Sequence, residues 1–139
     1  MDNEMSNQQR IERLKQMVAE DRIIRNKWVD GNERACLLAA LSPEAGEQGS
    51  AAACPATVMP QWLAHLTPGM DDSGSIAEWP AFVKRYAAVA ARWHVLNAED
   101  WRRAHHAVRA ISVREAMKHT DNKQVLETCE TVLVGFEIA

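Results

Sequence analysis

Glu115 and His119 stand four residues apart. On a helix that spacing brings both side chains to one point, which supplies two of the donors a divalent metal needs. A third would have to come from His65, His94, His105 or His106, and spacing singles out none of them. The pair therefore reads as a surface ion pair, and no metal or cofactor is expected. Glu115, His119 and His105 are also the polar groups that a catalytic pocket could gather. Against that use, the chain has no glycine-rich phosphate loop, no G-x-S-x-G elbow and no H-E-x-x-H helix. Asp71-Asp72-Ser73-Gly74-Ser75 lacks the alternating ligands and closing glutamate of a calcium loop and reads as a solvated turn. Cys36, Cys54 and Cys129 form no C-x-x-C pair, so they read as small buried apolar groups in a reducing compartment. The protein is expected to be non-enzymatic.

Charge gives the sharper signal. Residues 1–35 balance seven bases against seven acids. Residues 36–79 hold five acids, Glu44, Glu47, Asp71, Asp72 and Glu78, and no Lys or Arg. Residues 80–120 hold eight bases and three acids, and 121–139 hold one base and four acids. Two surfaces compete for a partner. The acidic middle combines its carboxylates with Trp62 and Trp79, and tryptophan is a frequent anchor of protein interfaces. Glu44, Glu47, Trp62, Asp71, Asp72 and Trp79 are thus the expected contacts for a protein with a basic surface. The alternative is a helix-turn-helix-like DNA-binding regulator whose basic helix, 98–119, would offer Arg102, Arg103, His106 and Arg109 to the major groove. A net charge of -3 weighs against nucleic acid.

Helices must position all of these residues. The chain has 139 residues, 47% hydrophobic and 25% charged, which is ordinary globular composition and long enough for one core. Its apolar runs are too short for a membrane span, and its polar start lacks a signal core, so a cytoplasmic location is expected. Ile11, Leu14, Met17 and Val18 share one face of a helix opening at Ser6 or Asn7. A short core helix follows at about 33–41. Ser, Gly, Pro and Ala dominate 42–56, which reads as a flexible loop. Trp62, Leu63 and Leu66 point inward from a helix ended by Thr67-Pro68-Gly69. Phe82, Tyr86, Val89 and Trp93 form a core stripe on the next helix. Asn97 caps another, with Trp101, Ala104, Val108 and Ile111 inward and the two helices of 80–119 packed antiparallel. Glu115 sits oddly near that apolar stripe. The last helix, about 122–134, buries Val125, Leu126, Cys129, Val132 and Leu133, with Gly135 as its stop. No segment alternates clearly with period two. The fold class is all-α, a single-domain bundle of five to seven helices over 1–139.

The stretch Trp28-Val29-Asp30-Gly31 followed by Ala35-Cys36-Leu37-Leu38-Ala39-Ala40-Leu41 resembles small uncharacterised helical proteins of bacteria and their phages and prophages, as does the stretch from Trp79 to Leu96. That resemblance covers about two-thirds of the chain and contains no catalytic motif. It implies an accessory protein that binds a host or phage complex. Inhibition of a bacterial defence complex, such as a CRISPR effector, is one concrete form. Oligomeric state is left open, a homodimer included.

Overall fold

The computed structural model describes residues 5–72 and 74–138; the side chains of Asp71, Glu137 and Ile138 lie outside the described residues. The fold is all-α, with seven α-helices and no strand among the described residues. They are α1 (Asn7–Ala19), α2 (Leu37–Leu41), α3 (Pro43–Gln48), α4 (Gln61–Asp71), α5 (Trp79–Ala90), α6 (Ala98–Met117) and α7 (Lys123–Ile138). Short 3-10 turns stand at Ala51–Ala53 and Trp93–Val95. Contacts divide the chain into two compact units, Met1–Val95 and Leu96–Ala139.

The first unit is built around α2. All five of its residues are completely buried, which explains a helix that is apolar on every side. It packs against α1, α3 and α4, while α1 also packs on α5. A buried helix end must still satisfy its last carbonyls. Two arginines of α1 do this: Arg10 Nη1 donates to the Leu41 carbonyl and Arg13 Nε to the Ala40 carbonyl, each at 2.9 Å. Helix α1 opens where expected, and Ser6 and Gln9 form a capping box there. It closes at Asp21, whose φ of 56° turns the chain left-handed. Residues 22–35 are irregular rather than helical. Asn26 and Glu33 are also left-handed, and the segment folds onto Ala35, whose N–H donates to the Arg22 carbonyl while its carbonyl accepts from Ile24.

The loop expected at 42–56 is largely helical. Its loop-like residues are helix ends: Ser42 caps α3 by accepting from the Ala45 N–H, Pro43 takes the first turn, and Gly49 closes it with φ 60°. Helix α4 runs through Pro68 to Asp71 instead of stopping at 67. It buries Leu63, Ala64 and Thr67, leaving Leu66 exposed and Trp62 half-buried. On α5 the buried residues are Val83, Tyr86, Ala87 and Ala90; Val89 is exposed, and Phe82 and Trp93 are half-buried. Small alanines take the buried side because they let helices approach closely, which rotates the expected stripe by about one residue.

The second unit is a helical hairpin. Asn97 and Asp100 form a capping box for α6, and Asn122 accepts from the N–H groups of Gln124 and Val125 at the start of α7. Helix α7 continues through Gly135, since one interior glycine costs only about 1 kcal/mol. Ala110 is buried, while His106, Val113 and Met117 are half-buried on the same side. The expected inward residue Ile111 is 64% exposed, because the helix turns a different face to α7. Val125 and Val132 are exposed as well, and the α7 seam is formed by half-buried Leu126, Cys129, Leu133 and Phe136.

Candidate functional site

Between α4 and α5 lies an exposed turn, described at Asp72 and at residues 74–78. Three contacts hold it to the irregular segment before α2. The Asp72 carboxylate accepts from the Asn26 N–H at 2.8 Å. Arg25 Nη2 donates to the Gly74 carbonyl at 3.2 Å, and the Arg25 guanidinium lies 5.9 Å from the Trp79 ring centroid. Gly74 sits at φ 80°, a conformation that favours glycine. Ser75 then caps the next turn by accepting from the Glu78 N–H. The result is a braced turn with Ile76 at its outside, 83% exposed, and the carboxylates of Asp72 and Glu78 on either side in sequence.

The acids named from sequence fall into different roles. Glu44 is not free to meet a partner. Arg10 donates to both of its oxygens, at 2.9 and 2.7 Å, and Ser42 donates to one of them at 2.8 Å. The hydrogen bonds from Arg10 hold the Glu44 carboxyl down to about 2. Glu47 is exposed at the end of α3, and Asp72 is exposed while bracing the turn. The side chain of Asp71 lies outside the described residues. Trp62 and Trp79 are both half-buried. Ile76 was missed by sequence reasoning. Its signal was an isolated β-branched residue inside a polar turn, which one sequence cannot distinguish from a buried anchor.

The basic helix offers less than its composition suggests. Both Arg102 and Arg103 pair with Glu99 on their own helix, lowering the Glu99 carboxyl below its ordinary range. His106 faces α7, its ring 5.7 Å from that of Phe136, so it is not on an open face. Arg109 is exposed. Glu115 pairs with Lys118 at 3.1 Å and stands 3.5 Å from His119, and no group of three or more metal-ligating residues occurs among the described residues. Cys36 and Cys54 are buried, and burial pushes the Cys54 thiol up. No described helix is long and apolar enough to cross a membrane. The fold thus defines an all-α protein, and no family model, curated protein or solved structure matches the chain.

Proposed function

We propose that this protein acts by binding another protein, and that the braced turn described at Asp72 and residues 74–78 makes the central contact. The observation that carries this reading is Ile76, a large apolar side chain 83% exposed on a turn that Asn26 and Arg25 hold at Asp72 and Gly74 and that Arg25 flanks at Trp79. An exposed apolar group on a braced turn binds at a lower ordering cost than one on an unbraced loop. Asp72 and Glu78 add negative charge around it, and no Lys or Arg occurs from 36 to 79 to cancel them. The matching partner surface is an apolar recess with a basic rim. DNA binding through α6 is less well supported, since Arg102 and Arg103 already have a carboxylate partner and His106 faces α7.

The test is affinity capture from a lysate of the source cells, comparing wild type with Ile76→Asp and with Glu47→Lys/Glu78→Lys. Wild type should retain a protein that Ile76→Asp loses and the double variant retains weakly, with thermal melts unchanged. Equal retention by all three would overturn the reading.

A further inference from the structure

Helix α7 has little stability of its own. Six of its sixteen residues are β-branched, Val125, Thr128, Thr131, Val132, Val134 and Ile138, and Gly135 stands inside it. These are weak helix formers, and a helix of this length is marginal alone even in a favourable sequence. The Thr128 and Thr131 hydroxyls donate to the Gln124 and Glu127 carbonyls one turn back, so these bonds add nothing across the seam. Helix α6 differs: nine of its twenty residues are Ala or Arg, which are strong helix formers, and a capping box opens it.

Packing must therefore hold α7, and that packing is thin. Its seam residues Leu126, Cys129, Leu133 and Phe136 are half-buried, with the Phe136 ring 5.7 Å from that of His106 on α6. Ala110 is the one buried residue among the described residues of 96–139. The unit Met1–Val95 holds twenty buried hydrophobic residues among those described. Distant segments of that unit are also tied together, Arg10 to Glu44, Arg13 to the Ala40 carbonyl and Thr67 to Tyr86. A region with few buried apolar groups opens at a lower free energy than a core of this kind.

We infer that α7 is a strap that opens from α6 as one unit while Met1–Val95 stays folded. Closed, it covers the α6 seam of His106, Val113 and Met117. Open, it bares that seam and frees the Cys129 thiol.

Hydrogen exchange of the full chain, read residue by residue by NMR where rates report the opening equilibrium, tests this. The probes are the Glu130 and Thr131 amides in the middle of α7. The references are the Ala40 and Ser42 amides, which donate to the Cys36 and Leu38 carbonyls in the core. The α7 amides should be at least ~30-fold less protected than the references. Tyr86→Phe weakens the core, so it should speed exchange of Ala40 and Ser42 about fivefold and leave the α7 amides unchanged. A Cβ at Gly135 meets nothing within 4 Å, so Gly135→Ala should slow α7 exchange about fivefold through helix propensity. A protection ratio below ~30 overturns the inference. So does Tyr86→Phe speeding α7 as much as the core, or Gly135→Ala leaving α7 exchange unchanged.

Discussion

Arg10 and Glu44, thirty-four residues apart, join α1 to the first turn of α3 through two parallel hydrogen bonds of 2.9 and 2.7 Å. Arg10 is only 1% exposed, so the bond forms largely out of water. The same guanidinium donates to the Leu41 carbonyl at the end of α2. One buried cation thereby ties three helices together, and a bidentate arginine is the side chain whose geometry allows it.

Removing one partner should be costly. Glu44→Ala leaves a buried guanidinium without its carboxylate and should destabilise by about 3–5 kcal/mol. Urea denaturation checks this; a loss below about 1 kcal/mol would mean that Arg10 finds a substitute acceptor.

The pair also predicts an acid limb in the stability profile. The Glu44 carboxyl lies at about 2 in the folded chain against an ordinary 4.5. A depressed carboxylate contributes stability that is complete above its unfolded value and is lost as pH falls from about 4.5 toward 2. Glu44 is partly exposed, so solvent screening reduces the contribution to about 1–2 kcal/mol. Glu44→Gln should remove that part of the acid limb, as followed by melts across this pH range.

Thr67 and Tyr86 bind α4 to α5 by a buried hydrogen bond of 2.8 Å. Thr67 gives its one hydroxyl proton to the Leu63 carbonyl, so the Tyr86 hydroxyl donates to Thr67. Tyr86→Phe should cost about 1 kcal/mol and Tyr86→Ala about 3–5 kcal/mol. Trp93 meets Tyr86 edge-on at 5.8 Å but is half-buried, so Trp93→Ala should cost less, about 1–3 kcal/mol. Equal losses for Tyr86→Ala and Trp93→Ala would contradict this order.

Gly46 lies where α3 closes on α2. A Cβ there would stand 3.0 Å from the Ala39 Cβ and 3.2 Å from Val29 Cγ1. Gly46→Ala should therefore destabilise by about 1–3 kcal/mol through overpacking, despite its gain in helix propensity. Val29→Ala in the same chain should restore part of the loss. A stabilised single variant would mean that the two helices separate freely.

Arg25 braces the turn at 74–78 from outside the core, through the Gly74 carbonyl and the Trp79 ring. Arg25→Ala should speed limited proteolysis within this turn while leaving global stability within about 0.5 kcal/mol. Unchanged cleavage would show that the Asn26–Asp72 hydrogen bond holds the turn unaided.

Local signals in the sequence were enough for the starts of α1 and α6, though not for α3 or for the ends of α4 and α7. Ser6 and Asn97 mark true caps, and Leu14 and Met17 are buried on α1. Such features act within one turn of chain, so neighbouring residues suffice to read them. The acidic middle was also visible as composition, but the roles of its acids were not. Glu44 became half of an ion pair because folding brings Arg10, far away in sequence, beside it, and Asp72 became a brace because Asn26 presents an N–H there. The same holds for the faces of α5 and α6. Periodicity identifies an apolar stripe on each, but which side is buried depends on the neighbouring helix: α1 beside α5, and α7 beside α6. Burial is a property of contacts between distant segments, so only the tertiary structure could decide that Tyr86 is enclosed while Val89, Ile111 and Ile76 face outward.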